Sequence, residues 1–201
     1  NEDQIKYNDK IISTTSSTTQ VLALMMKVLD ESFGIKRAMM TTVHAYTSDQ
    51  PLADAVRSDL RRSRSAVENI IPNETWAPDY VSQLMPKFKN KVSGIAMNVP
   101  VANGSCIDLT TEMNRMPSVE EANKSFENAS LNELKGLIRF TKDPIVSSDA
   151  IGGGETMLFD SKATMVASEK LLKTVAWFDN GWGFANRILE LAEAYSKKER
   201  I

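Results

Sequence analysis

Four consecutive hydroxyl side chains, Ser16 to Thr19, stand directly before an apolar segment of helical spacing, and the chain has a single histidine, His44. An imidazole that lies close to a hydroxyl can accept its proton, so Ser17 and His44 could act as the nucleophile and base of a serine hydrolase. That chemistry also needs a carboxylate to orient the imidazole, and the sequence identifies none. Two structural interpretations stay open, because serine is a favoured helix N-cap and a lone histidine on a strand is more often structural.

The hydroxyl run lies between a predicted strand and a predicted helix. Lys10-Ile11-Ile12 is a short apolar run, whereas residues 21–29 carry apolar side chains at helical spacing and Gly34 provides a stop. A capping box at Ser118–Glu121 predicts a second helix. An apolar stripe that begins at Trp182 predicts a C-terminal helix whose apolar side faces inward.

Strand-like runs rich in Val, Ile and Thr occupy much of the remaining chain. They cover residues 37–46, residues 92–113 and three stretches between residues 137 and 178. We therefore expect an α+β fold in which helices flank a large mixed or antiparallel sheet.

Length and composition exclude several classes of protein. With 201 residues, 42% hydrophobic content and a net charge of -2, the chain can bury one sizeable core or two small ones. Its basic residues form no long stripe and no apolar run reaches the roughly 20 residues that a bilayer requires, so we expect neither nucleic acid nor a membrane as a partner. The single Cys106 cannot form an internal disulfide, which fits a cytoplasmic location. We predict no metal site.

Five short motifs extend these observations to nearly the whole chain. They are Ile-Ile-Ser-Thr-Thr ending at Thr15, Thr41–Ala45, Asn69–Pro72, Pro144–Asp149 and Trp177–Gly183. In this order and at this spacing they resemble phosphorylating aldehyde dehydrogenases of the glyceraldehyde-3-phosphate dehydrogenase family, with erythrose-4-phosphate dehydrogenase as a near relative. The resemblance implies a catalytic domain with a large sheet.

The resemblance also implies a domain that this sequence lacks. In such enzymes a Rossmann domain with a Gly-x-Gly-x-x-Gly turn precedes the catalytic domain, and no such turn occurs here. We therefore interpret residues 1–15 as the last strand of a missing Rossmann domain, residues 16–181 as a catalytic-type domain and residues 182–201 as a C-terminal helix. The family uses NAD or NADP, and we expect this chain alone to bind neither.

The resemblance places Ser17 where the family has its nucleophilic cysteine, and His44 where it has its base. A hydroxyl is a poor substitute, because a free thiol has a pKa of about 8.5 that falls further at a helix N-terminus beside an imidazolium. The remaining implied roles are a substrate-phosphate contact for Thr47, contacts to the attacking phosphate for Ser16, Thr18, Thr75 and Arg62, and a contact to the nicotinamide amide for Asn180.

Three further positions depart from the family pattern. Asn98 replaces an arginine that bridges both phosphates, and an amide cannot make that bidentate, charge-assisted contact. Trp76 replaces a glycine that lets the backbone approach phosphate, and Glu74 adds a negative charge nearby. We therefore interpret the chain as a family member that has lost phosphorylating activity and acts in assembly or regulation. The alternative is a fragment or Cys-to-Ser mutant of an active NAD(P)-dependent aldehyde dehydrogenase.

The resemblance also implies which partners the chain binds. We expect a homo-oligomer, a dimer or a tetramer, formed through the large sheet. The C-terminal helix would then offer its apolar stripe to a separate Rossmann domain or to another protein.

Overall fold

The computed structural model describes residues 1–198 of the chain. Its helices are α1 (Ser17–Phe33), α2 (Ala77–Leu84), α3 (Val119–Leu131) and α4 (Trp182–Ser196). Its strands are β1 (Ile35–Ala45), β2 (Ile71–Asn73), β3 (Val92–Val99), β4 (Ser105–Met113), β5 (Ile138–Thr141), β6 (Met157–Asp160), β7 (Met165–Ala167) and β8 (Leu171–Phe178). Short 3-10 turns cover Glu2–Gln4, Pro86–Phe88 and Ser147–Ala150.

All eight strands belong to one sheet, in the order β2-β3-β1-β4-β8-β6-β5, with β7 paired to β8. The β1/β3 and β5/β6 pairs are parallel, whereas β4 runs antiparallel to both β1 and β8. The sheet is therefore mixed and has helices packed on it, which confirms the predicted α+β fold.

The core lies between one face of this sheet and helices α1, α2 and α3. Leu22, Met25 and Leu29 of α1 are fully buried in it, together with Ile107 and Leu109 of β4. Side chains alternate along each strand, so neighbouring residues reach opposite faces. Met40 of β1 is buried for this reason, while the adjacent Met39 is 68% exposed. On the opposite face of the sheet, Met39 and Ile95 are 68% and 36% exposed among the described residues.

One expectation from the sequence is wrong. Lys10–Ile12 forms no strand, and Ile11 is 93% exposed. A strand exists only when a neighbour takes its backbone hydrogen bonds, and none of the strands within residues 1–198 runs beside this segment. The assignment of residues 1–15 to another domain's sheet therefore stays a prediction.

The C-terminal helix α4 begins at Trp182, as expected. Its apolar stripe does not face inward but is open to a partner, since Trp182, Ile188 and Leu189 are all more than two-fifths exposed. Hydrogen bonds hold the helix near both ends. At its start the Asp179 carboxylate accepts from the Trp182 backbone N–H. Near its end the Tyr195 hydroxyl donates to the backbone oxygens of Tyr7 and Asp9. Residues 199–201, which the prediction included, lie outside the described residues.

The capping box predicted at the start of α3 is confirmed. The Ser118 hydroxyl accepts a hydrogen bond from the Glu121 backbone N–H at 3.1 Å, and the Glu121 carboxylate accepts one from the Ser118 N–H at 2.8 Å. Two of the N–H groups at the helix start are thereby satisfied reciprocally.

One buried carboxylate joins the start of α4 to the loops that contain Asn103 and Gly152. Asp179 accepts hydrogen bonds from the backbone N–H groups of Gly152, Gly181 and Trp182 at 2.8–2.9 Å, and from the amide of Asn103 at 3.2 Å. Burial opposes the ionisation of Asp179, but these bonds outweigh it and hold the pKa of the carboxyl below its ordinary value.

We expect Asp179→Asn to lower the free energy of unfolding by about 2–3 kcal/mol, because the amide nitrogen cannot accept from an N–H and the charge-assisted bonds are lost. Urea denaturation measures the difference. Asp3→Asn is the matched control, since Asp3 is exposed and its side chain forms no hydrogen bond among the described residues. Equal stability of the two variants would contradict the role given to Asp179.

Candidate active site around His44

The site lies where the start of α1 meets the end of β1. Gly34 alone separates the helix from the strand, with φ of 73°, a conformation that favours glycine. A helix of 17 residues is about 25 Å long, and the strand from Ile35 to His44 extends about 30 Å. Because the two elements run in opposite directions, His44 comes to lie beside the first turn of α1.

Three hydroxyl groups surround the His44 ring. Its Nε2 atom lies 3.0 Å from the Thr18 hydroxyl and 3.0 Å from the Thr42 hydroxyl, while Nδ1 lies 3.1 Å from the Ser105 hydroxyl. The edge of the ring also contacts Phe178, with 5.8 Å between centroids. Burial lowers the pKa of His44 below its ordinary value of 6.5, so the imidazole is neutral at pH 7 and both nitrogens are occupied.

Ser17 is not one of the described residues that form a hydrogen bond with His44. It occupies the first position of α1 and is partly exposed, whereas Thr18 is only 6% exposed. Successive residues of a helix point about 100° apart, so one position decides which hydroxyl faces the ring. Among the described residues no hydrogen bond joins Ser17 to His44.

The N-cap of α1 is Ser16 rather than Ser17. The Ser16 hydroxyl accepts a hydrogen bond from the Thr19 backbone N–H at 3.1 Å and lies 2.8 Å from the Thr19 hydroxyl. Thr15, directly before it, has φ of 60°, which is strained for a β-branched residue. The chain thus enters the helix through a sharp turn whose polar groups bond to one another.

Thr47, Thr75 and Arg62, predicted as phosphate contacts, each bond to a neighbour in the chain. The backbone N–H and hydroxyl of Thr47 donate to the Gln50 side chain, and the Thr75 hydroxyl accepts from the Ala77 N–H. Arg62 forms an ion pair with Asp49 at 3.0 Å. Within the described part of the chain, none of the three is bonded to His44 or to Ser16, Ser17 or Thr18.

Asn98 and Asn180 lie on strands or turns that lead to the site. Asn98 is the partner of His44 in the parallel β1/β3 register, and its amide donates to the Ala45 oxygen at 3.3 Å. The side-chain oxygens of both asparagines are buried and have no hydrogen-bond partner among the described residues. Both acceptors are therefore left unsatisfied within residues 1–198.

Glu74 and Trp76, which stand where the family pattern has other residues, both lie on the surface; their effect on phosphate binding stays a prediction. Glu74 is exposed, and Trp76 is 65% exposed at the start of α2. The buried side of this helix is supplied by Ala77, Pro78 and Val81, which leaves the Trp76 ring on the outside.

Sequence reasoning missed two of the hydroxyls that bind His44. Thr42 precedes His44 by two residues, so strand periodicity alone places both on one face. Ser105 comes from β4, and only the β1/β4 register, which pairs Val43 with Cys106, brings it to the ring. Neither partner is a carboxylate, so within residues 1–198 His44 is not bonded to the group that orients the histidine of a serine hydrolase.

A metal site requires a cluster of ligand side chains, and a membrane-spanning helix requires a long apolar segment. The described residues contain no cluster of three or more His, Cys, Asp or Glu side chains that could hold a metal ion. No helix within residues 1–198 is long and apolar enough to cross a bilayer.

Comparison with known proteins decides the family. The model for the C-terminal domain of glyceraldehyde 3-phosphate dehydrogenase matches residues 16–180. The chain belongs to this family. Among curated relatives, it is 46% identical to glyceraldehyde-3-phosphate dehydrogenase 2 of Streptomyces avermitilis over 189 residues, and 43% identical to glyceraldehyde-3-phosphate dehydrogenase 1 of Bacillus subtilis over 199 residues.

The match covers nearly all of this chain but only part of these glyceraldehyde-3-phosphate dehydrogenases. It covers 94% and 98% of this chain, but 56% and 59% of the two relatives. The chain thus spans somewhat more than half the length of the proteins it matches. The serine-for-cysteine assignment at Ser17 and the kinship to erythrose-4-phosphate dehydrogenase stay predictions.

The lowered pKa of His44 predicts that stability falls on mild acidification. The unfolded chain binds a proton on this imidazole more readily than the folded chain, so protonation favours unfolding. The contribution is fully present above about pH 6.5 and is lost as the pH falls toward the lower pKa of the folded state.

Urea unfolding between about pH 8 and pH 5 tests this expectation. His44→Gln is the control, because it retains the carboxylates that titrate at lower pH but lacks the imidazole. We expect a steeper loss of unfolding free energy in the wild type below pH 6.5. Parallel curves for the two proteins would contradict it.

Proposed function

We propose that this chain is a glyceraldehyde-3-phosphate dehydrogenase-type catalytic domain that lacks phosphorylating dehydrogenase activity and acts in assembly or regulation. The observation that carries the proposal is the isolation of Ser17 from His44. The imidazole that would activate a nucleophile is bonded to Thr18, Thr42 and Ser105 instead. A serine hydroxyl without an adjacent base is a weak nucleophile at neutral pH.

The surroundings of the site support the same proposal. The family resemblance places an arginine where this chain has Asn98, and the Asn98 amide donates to a backbone oxygen. A phosphorylated substrate would therefore meet no bidentate cation at this position. Arg62 is ion-paired with Asp49, so its charge is already partly neutralised.

Asn180 fits the one cofactor contact that the resemblance assigns to this chain. Its buried oxygen is unsatisfied within the described residues and could accept from the carboxamide N–H of a nicotinamide. When bound, NAD or NADP would supply a hydride acceptor. The rest of a dinucleotide site would have to come from another domain, so we propose that this chain alone binds neither cofactor.

The assembly role rests on two uncovered surfaces. One is the outer face of the sheet, which includes Met39 and Ile95 and which we propose as the contact of a homodimer or homotetramer. The other is the apolar side of α4, with Ile188 and Leu189 exposed. We propose that α4 binds a Rossmann domain, supplied by a longer chain or by a separate protein.

The catalytic part of the proposal is tested with Ser17→Cys. Position 17 is the first residue of α1 and lacks a hydrogen bond to His44 among the described residues, so we expect the helix N-terminus to set the reactivity of the new thiol toward iodoacetamide, independently of His44. Cys106 does not interfere, since burial and the nearby Asp108 raise the pKa of its thiol to about 11. The wild type is the blank, and Ser17→Cys combined with His44→Gln should react no more slowly than Ser17→Cys alone.

The same experiment tests a second candidate function. It is favoured by the named relatives, which are dehydrogenases at 43–46% identity. In this alternative the chain is a piece or a Cys-to-Ser form of an active aldehyde dehydrogenase. It requires that Ser17→Cys gives a thiol whose reactivity depends on His44. It also requires phosphate-dependent oxidation of glyceraldehyde 3-phosphate once a cofactor domain is added. Either result would refute the proposed loss of activity.

The α4 surface is tested with Leu189→Asp. We expect this change to abolish binding of the separately expressed part of the Bacillus subtilis relative that precedes the matched region, because a carboxylate cannot be buried there without a partner. Isothermal titration calorimetry measures the binding. Leu131→Asp is the matched control, since Leu131 at the end of α3 is 67% exposed and Leu189 is 68% exposed. Light scattering should show the same oligomer for both variants.

A further inference from the structure

The outer side of α2 carries an apolar stripe that neither the core nor the His44 site uses. Trp76, Tyr80 and Leu84 follow one another at intervals of four residues and are 65%, 42% and 44% exposed. Residues four apart lie on the same side of a helix, so the three side chains form one continuous surface. Ala77 and Val81 on the opposite side are buried against the core, which fixes the direction in which the stripe points.

Carboxylates border the aromatic end of this stripe. Glu74 lies two residues before Trp76, and Asp79 lies three residues after it, on the adjacent row of the helix surface. Both are exposed, and neither forms an ion pair with any residue between 1 and 198. By contrast Lys87, just beyond the helix, is already paired with Asp30. The aromatic end of the stripe is therefore acidic and uncompensated.

We propose that this surface of α2, made of Glu74, Trp76, Asp79, Tyr80 and Leu84, binds a basic segment of another protein. An arginine or lysine of that segment stacks on the Trp76 or Tyr80 ring while its charge is balanced by Glu74 and Asp79. An apolar side chain next to it in the segment covers Leu84. Aromatic residues with neighbouring carboxylates recognise a cation through both the ring and the charge, and exposed tryptophan and tyrosine dominate the energetics of many interfaces.

The basic loop of a second copy is a poorer occupant. Its exposed cations are largely engaged inside their own chain, because Arg62 and Arg64 are paired with Asp49 and Asp54, and Arg57 donates to the Asp49 backbone oxygen. The free energy lost by breaking these contacts would offset part of the free energy gained by binding to the α2 surface. The surface is also separate from α4 and from the sheet, so this inference stands independently of the proposed function.

The test uses the chain and a short synthetic peptide in which arginine and leucine alternate. Binding is followed by isothermal titration calorimetry and by the change in tryptophan fluorescence. We expect Trp76→Ala, and separately Glu74→Lys combined with Asp79→Lys, to weaken binding about tenfold or more. Trp76→Phe should retain part of the affinity, because it keeps an aromatic face.

Matched controls lie elsewhere on the surface. Trp182→Ala removes a tryptophan that is 60% exposed, and Glu133→Lys reverses another exposed carboxylate. Both should leave the affinity unchanged, and thermal unfolding should show every variant folded. A peptide with glutamate in place of arginine should not bind.

Three results would overturn the inference. The first is equal binding of the acidic and basic peptides, and the second is equal affinity in the α2 variants and their controls. The third is self-association that Trp76→Ala abolishes in sedimentation velocity, since a second copy would then be the occupant.

Discussion

The packing of α1 across the sheet is the contact on which the rest of this molecule depends. The helix buries Leu22, Met25 and Leu29 completely, and a single residue, Gly34, joins it to the central strand β1. With so short a connection, neither element can slide along the other without breaking the core. The same constraint sets the position of the first helical turn, and with it the hydroxyl that reaches His44.

His44 stabilises the fold through its hydrogen bonds. Its three hydroxyl partners come from α1, β1 and β4, so the ring ties together three elements that are separate in sequence. A buried imidazole with both nitrogens bonded stabilises the fold, but it has little freedom to accept a proton from a fourth group. The hydrogen bonds of His44 thus hold the end of the sheet to the first turn of α1.

Much of this arrangement could be predicted from local pattern. Strand alternation, helical spacing and the capping box at Ser118 gave the mixed sheet and the helices, because these signals depend on a few adjacent residues. The role of Ser105 could not be predicted, since it depends on a strand register set by tertiary packing. The exposure of Trp76 could not be predicted for a similar reason: which side of α2 is buried depends on how Ala77 and Val81 pack in the core, and no single residue reveals that.

The parallel pairing of β1 with β3 has a further effect. Two parallel neighbours need a long crossover, and here it runs over residues 46–91 and carries the arginine-rich loop, β2 and α2. Substitutions in this excursion change the rim of the site and the outer surface without altering the register of the central strands. During evolution, residues 46–91 can therefore change the charge and polarity of the surface while the residues that determine the central sheet are kept.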